Sequence, residues 1–214
     1  MNDDLRSNAI LPNTEPYGSS GYTHINGGGN EAVSDATAVF AVTGNDAIVD
    51  WVVLEVRDAT DPVQILASQS VLLQRDGDLV GMDGTSLPQF TLDQLVAGSY
   101  YLAVRHRNHL GVMTANPLTF SPNTTLAATD FTAGGTYGSN TQELLADGSY
   151  GLWGGDANFN GQVQNTDIEN YWKPTVGESG YQAADFNLNG QVQNTNLELI
   201  WKNTVGIGAQ LPGN

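Results

Sequence analysis

Between Thr37 and Thr132 short apolar runs alternate with turn-forming residues. The runs TAVFAVTG, AIVDWVVLEVRDA, VQILASQSVLLQRDGDLVG, PQFTLDQL, GSYYLAVRHRNHLGVMTA, PLTF and ATDFT are rich in β-branched and aromatic side chains. Gly44-Asn45-Asp46, Asp61-Pro62, Asp76-Gly77, Asp83-Gly84 and Asn116-Pro117 punctuate them. Side chains two apart share one face of a strand, whereas a helix repeats every ~3.6 residues. In AIVDWVVLEVR, Val52, Leu54 and Val56 fall on one face and Trp51, Val53, Glu55 and Arg57 on the other, which predicts a half-buried strand. Asp76-Gly77 is a hairpin-type turn signal. Many short strands at roughly ten-residue spacing predict a mainly β fold of the sandwich type. Residues 1–35 are polar and rich in turn formers, and predict a loop with one short strand. Residues 133–153 are Gly-rich and predict a connection with a brief helical turn around Gln142–Ala146.

The last quarter of the chain repeats itself. GDANFNGQVQNTDIENYW returns as ADFNLNGQVQNTNLELIW, and between Asp156–Gly177 and Asp185–Gly206, at an offset of 29 residues, 15 of 22 paired positions are identical. Such agreement predicts two copies of one supersecondary unit packed about a pseudo-twofold axis, with Val163 pairing with Val192. Each copy reads as a cation loop. With Asp156 as position 1, Asn158 is 3, Asn160 is 5, Gly161 is 6, Gln162 is 7 and Asp167 is 12. Oxygen-bearing side chains at 1, 3 and 5 converge on a point, Gly at 6 permits the reversal, and position 7 offers its carbonyl. A carboxylate at 12, where a helix starts, supplies two more oxygens. The second copy places Asp185, Asn187, Asn189, Gln191 and Asn196 at the same positions. Loop one thus brings two carboxylates and loop two only one, so site two is expected to be weaker or to borrow a ligand. The alternative is a pair of metal-free Asn-Gly turns capped by their own side chains.

Composition sharpens this. The chain has 214 residues, 40% of them hydrophobic, which supports a packed core. Its net charge is −16 with seven basic residues. Nucleic acid and anionic membrane surfaces need clustered Lys and Arg and are disfavoured partners, whereas excess carboxylate suits hard cations such as Ca²⁺. There is no Cys, hence no disulfide or thiolate site. No apolar run reaches the ~18 residues of a membrane-spanning helix. Met1 is followed at once by Asn2-Asp3-Asp4, so an exported chain would be a mature or trimmed form.

The two loops resemble the duplicated calcium loops of dockerin modules, whose pattern is D-x-N-x-D-G-x-V-N-x-x-D. The resemblance covers the chain from Gly154 to its end and implies EF-hand-like metal sites at the ten residues named. This chain departs from the pattern at position 5, Asn in both loops, and at Asn196. Fewer carboxylates imply weak binding, on the order of the 10⁻⁴–10⁻³ M of extracellular modules. The segment AIVDWVVLEVRDATDPVQILASQSVLLQRDGDLVGMDG with GSYYLAVRHRNHLGVMTA resembles a module of large secreted Bacteroidetes proteins that often precedes dockerin-like repeats. MNDDLRSNAILPNTEPYG and TYGSN fit the same pattern. That resemblance implies export and a cell-surface or extracellular location. Such modules carry a strand before the MNDDLR stretch that this chain lacks. The expectation is an open sheet edge, in a fragment or in a subunit that takes a strand from a neighbour.

The resulting expectation is an Ig-like or fibronectin-like β-sandwich over 1–135, a linker over 136–153 and a dockerin-like calcium-binding repeat over 154–214. Arg105, His106, Arg107 and His109 form a basic cluster. Arg105 and Arg107 are expected to pair with Asp50 or Glu55, while a continuing strand would point His106 and His109 to opposite faces. Trp172 and Trp201 hold equivalent repeat positions, which predicts core packing. With no GxSxG, HExxH or Cys, no enzyme is expected. The function expected is a calcium-stabilised structural or assembly protein, a surface adhesin part or an extracellular fibre subunit. Its alternative is a carbohydrate- or cohesin-binding accessory module of a secreted hydrolase. Cohesin-like partners would meet Asn165-Thr166 and Asn194-Thr195.

Overall fold

A computed structural model describes residues 1–90, 96–121 and 129–213. The chain is mainly β and its sheets are antiparallel. β1 (Ile48–Asp58), β2 (Ile65–Gln74), β3 (Leu79–Val80), β4 (Gly98–His106) and β5 (His109–Met113) lie in the order β3-β2-β1-β4-β5, and β6 (Leu118–Phe120) pairs with the start of β4. β7 (Gln142–Leu144) and β8 (Tyr150–Leu152) form a separate two-stranded hairpin. The Asp76-Gly77 signal becomes the β2–β3 turn, with Gly77 at φ 103°.

β1 is central, with Leu54 opposite Gln69 on β2 and Val104 on β4. Both of its faces are buried, where alternation predicted one. The face bearing Trp51 and Val53 packs with Leu72 and Val80 against Leu5, Leu11, Tyr17 and Val39 of the N-terminal segment. Tyr17 Oη donates to the Trp51 carbonyl (2.7 Å) and Trp51 Nε1 to the Pro12 carbonyl (3.0 Å), which fixes that coil on the sheet. Val52, Leu54, Val71, Val104 and Val112 on the other face meet Phe90, Phe131 and Leu152. Where a sandwich expects a second large sheet, the described residues put coil and repeat on one face and the β7–β8 hairpin on the other.

Local chemistry accounts for the differences. TAVFAVTG does not form a strand: Asp35 Oδ1 accepts the Ala38 N–H (3.1 Å) and caps the short helix α2 (Ala36–Val39). A second short helix, α1 (Asp4–Ser7), lies in the segment read as loop and strand. Gln142 is extended rather than helical because its side chain is clamped, Nε2 donating to Phe131 O (2.7 Å) and Oε1 accepting from Thr136 Oγ1 (3.2 Å). Thr91–Leu95, within the expected run PQFTLDQL, lies outside the described residues, as does the start of ATDFT. Phe131–Ala133, which begins in that run, forms a 3₁₀ turn capped by Asp130.

Segments of the same chain fill several edge positions. Beside β2, Ser68 N–H donates to Ile25 O (2.9 Å) and Ser70 N–H to the Glu31 carboxylate (3.1 Å). Beside β5, Leu110 N–H donates to Trp153 O (2.7 Å) and Met113 O accepts from Tyr137 N–H (2.9 Å). Residues 136–153, read as a linker, are therefore fastened to the sheet at both ends.

Candidate functional site

Loop one is built from its first carboxylate outward. Asp156 Oδ1 accepts the Asn160 N–H (3.0 Å) and Oδ2 the Gly161 N–H (2.8 Å). Gly161 sits at φ 79°, a left-handed conformation that Gly adopts freely. Asn158 Oδ1 accepts the Asn160 N–H (3.1 Å) and Asn160 Oδ1 the Gln162 N–H (3.0 Å), so the side-chain oxygens at positions 1, 3 and 5 each cap a backbone amide of the loop. Gly161 O and Val163 N–H pair with the chain near Gly208. An antiparallel bridge of this kind points the Gln162 carbonyl away from the partner strand. Asp167 Oδ2 accepts the Gln164 N–H (2.7 Å) at the start of α3 (Asn165–Asp167), and Oδ1 reaches back to the Asn158 N–H (3.2 Å). α3 runs on through a π-helical turn, Ile168–Trp172, into α4 (Lys173–Thr175).

Loop two repeats the scheme with Asp185 accepting from Asn189 (3.1 Å) and Gly190 (2.8 Å), and Asn189 Oδ1 accepting from Gln191 N–H (3.0 Å). It ends differently. Asn196 Oδ1 takes the helix-start amide of Gln193 (2.7 Å), and its Nδ2 donates to Asn187 Oδ1 (3.2 Å). A π-helical turn, Asn196–Trp201, and α5 (Lys202–Thr204) follow.

The copies pack reciprocally. Trp172 Nε1 donates to Gln193 O (3.0 Å) and Trp201 Nε1 to Gln164 O (3.2 Å), each indole reaching position 9 of the other copy. Trp172, Ile168, Phe186 and Val192 form the core beneath, with Trp201 packed against it. Val163 and Val192 do not pair with each other as expected. Val163 bonds Gly206 and Ile207, and Val192 bonds Gly177 and Glu178, so each loop is stitched to the exit of the other copy's helix.

Asp156 and Asp167 are both buried, and among the described residues neither forms an ion pair. Burial, then the charge of Asp167 against the opposing Gly161 N–H, pushes Asp156 up to about 6. Burial also raises Asp167. Two buried carboxylates without a cationic partner, beside amide and carbonyl oxygens of the same loop, are a donor set that fits a hard divalent cation. Among the described residues no group of three or more His, Asp or Glu side chains is placed to hold a metal, so such an ion would depend on the amide and backbone oxygens. In loop two burial raises Asp185, opposed by the Gly190 N–H and the charge of Arg107.

The basic cluster holds the loops. β4 and β5 form a hairpin that turns at Arg107-Asn108, and the Asn108 carbonyl accepts the N–H groups of Gly155 (3.0 Å) and Asp156 (3.2 Å). The Asn108 side-chain Nδ2 donates to the carbonyls of Ala183 (2.9 Å) and Asp185 (2.9 Å). One buried residue thereby grips position 1 of both loops. Arg107 donates to the Asp50 carboxylate (3.0 Å) and to Gln182 O (2.6 Å), and Tyr181 Oη donates to Asp50 (2.5 Å). Burial alone would raise Asp50, but Arg107, His106 and Tyr181 hold it far below the usual carboxylate range. Arg105 pairs with Glu55 (3.5 Å) as the strand pattern suggested. His106 and His109 do not diverge: the turn brings their Nδ1 atoms to 3.0 Å, and burial with the nearby charges of His106 and Arg107 pulls His109 well below its usual value.

Phe159 and Leu188, position 4 of each loop, adopt φ 59° and φ 58° and pack into the sheet-side core with Trp51 and Tyr17. The Arg105 guanidinium lies 4.2 Å from the Phe159 ring centroid. Neither these pegs nor Asn108 follows from the ligand spacing. The signal for the pegs was an apolar residue at position 4, where a solvent-exposed loop has no use for one. Elsewhere, a polar depression of about 360 Å³ is lined by Thr14, Glu15, Gly18, Ser19, Gly29, Asn30 and Glu31. Its carboxylates are occupied by backbone amides, Glu15 by Tyr17 and Gly18, Glu31 by Gly29 and Ser70. No family model, curated protein or solved structure matches the chain. No described helix is long and apolar enough to cross a membrane.

Proposed function

We propose that the chain is a non-catalytic, calcium-stabilised structural protein of the bacterial cell surface or extracellular space, an adhesin part or fibre subunit. Its sheet is read as an incomplete Ig-like sandwich and its repeat as dockerin-like. The observation that carries this reading is the buried, un-ion-paired couple Asp156 and Asp167 facing one loop. Asp156, Asn158, Asn160, the Gln162 carbonyl and Asp167 would hold Ca²⁺, which supplies the positive charge that the loop lacks. Because position 1 hangs from Asn108, order in the loop is transmitted to the sheet by direct hydrogen bonds. Mg²⁺ suits the loop less, since it demands a small octahedral shell and keeps its waters.

A second reading has its own support. Asn165-Thr166 and Asn194-Thr195 are exposed, identical in both copies and related by the reciprocal packing, so a cohesin-like protein could dock in two orientations. A glycan is the other candidate ligand of such an accessory module. Electron microscopy of purified protein in calcium and in chelator separates the readings. Ordered assemblies that disperse on chelation support the structural role, and monodisperse particles in both conditions argue against it. A pull-down from secreted proteins that is lost when both Asn-Thr pairs become Ala-Ala, or specific binding on a glycan array, would favour the second.

A further inference from the structure

The two loops fold alike and close differently, and the difference is one atom. We propose that loop two takes no ion, that Asn196 supplies an internal substitute for it, and that the chain binds a single divalent cation in loop one. This rests on the calcium reading of loop one and goes beyond it.

Asn196 is fully buried, and its orientation is set by its neighbours. The Gln193 N–H must be met by an acceptor, which is Asn196 Oδ1 at 2.7 Å, so the other branch is the NH₂ group. That group points into the loop and donates to Asn187 Oδ1 at 3.2 Å. Turning the amide over would set NH₂ against N–H and orphan a buried donor. Asp167 makes the same cap with Oδ2 and still has Oδ1, an acceptor, to present. Loop one therefore ends in a lone pair and loop two in a partial positive charge already bonded to a ligand oxygen.

The surroundings agree. Arg107 is buried beside loop two and donates to Gln182 O, and Asn108 Nδ2 holds the Asp185 carbonyl. The N-terminal segment covers this loop closely: a Cβ on Gly190 would lie 2.6 Å from Ile10 Cδ1. Position 7 is exposed in both loops, but position 5 is exposed only in loop one, at Asn160, and half-buried at Asn189, which leaves an ion a wider approach to loop one. Loop two is the fixed anchor of the repeat on the sheet, and loop one is its responsive half.

Native mass spectrometry of the full chain in millimolar Ca²⁺ counts the ions. One is expected for the wild type, none for Asp167→Asn and two for Asn196→Asp, a near-isosteric exchange of loop endings. Two ions on the wild type would overturn the inference and leave the calcium reading intact. None on the wild type would overturn the calcium reading itself, and this inference with it. Asn196→Asp remaining at one would show that the amide is not what excludes the second ion. The wild type alone gives an independent test through amide NMR. On Ca²⁺ titration the Gly161 N–H should shift and the Gly190 N–H should not, and equal movement of both would contradict the proposal.

Discussion

At the scale of single residues the loop is governed by charge that lacks a partner. Asp156 titrates near 6 in the fold against 3.8 as its ordinary value, so without an ion the folded state holds the proton more tightly than the unfolded chain. Stability contributed by this group therefore rises as pH falls from about 6 towards 4, and above 6 ionisation costs up to about 3 kcal/mol. His109, held well below its ordinary value, works in the opposite direction, and a comparison with Asp156→Asn cancels it. In chelator the stability difference between wild type and Asp156→Asn, read from urea melts, should move towards the wild type by up to about 3 kcal/mol between pH 7 and pH 4. A difference that stays constant with pH would refute the raised pKa of the buried Asp156 carboxyl. The ligands at positions 1, 3, 5 and 12 were legible because their spacing is dictated by coordination. Phe159 was not, because a left-handed aromatic that serves as a peg obeys the sheet it enters and not the loop that carries it. Phe159→Ala should cost about 2 kcal/mol through lost packing and the Arg105 contact, as a shift in urea midpoint would show.

At the scale of elements the β4–β5 hairpin matters most. Its turn residue Asn108 replaces four hydrogen bonds that separate modules would have satisfied with water. Asn108→Ala should destabilise the chain by about 2–4 kcal/mol, since the carbonyls of Ala183 and Asp185 are left unpaired in a buried place. Asn108→Asp should be no rescue, because a carboxylate cannot donate to them. A loss below about 0.5 kcal/mol in thermal or chemical melts would contradict the clamp. Strand existence was legible here from period-two alternation and turn chemistry. Burial was not: Glu55 and Arg57 read as the polar part of one face of a half-buried strand, yet both are buried and paired with each other. Polar pattern records what a residue can bond, and an internal guanidinium satisfies a carboxylate as water does. α2 was missed for a local reason, the Asp35 cap outweighing the β preference of Val and Phe in a four-residue stretch.

At the scale of the whole molecule, sheet and repeat are joined by Asn108, Arg107, Tyr181 and the two pegs, so they should unfold in one transition. Differential scanning calorimetry resolving two independent transitions in calcium would refute that coupling. Residues 136–153 read as a linker from their Gly-rich composition, which does not register the hydrogen bonds that tie both ends of the segment to β5. That the two copies would pack on each other was legible from the repeat itself. Its stitching, with each loop joined to the exit of the other copy's helix, depends on where the chain goes after Thr175 and Thr204.

The central claim is that a divalent cation in loop one stiffens the repeat on its sheet. A thermal melt of the full chain in 10 mM Ca²⁺, in 10 mM Mg²⁺ and in chelator tests it directly. With binding on the order of 10⁻⁴–10⁻³ M, calcium should add about 1–3 kcal/mol and raise Tm by roughly 3–10 °C over chelator. Magnesium should do distinctly less, and Asp156→Asn should lose the calcium increment. Superimposable wild-type melts in calcium and chelator would contradict the account.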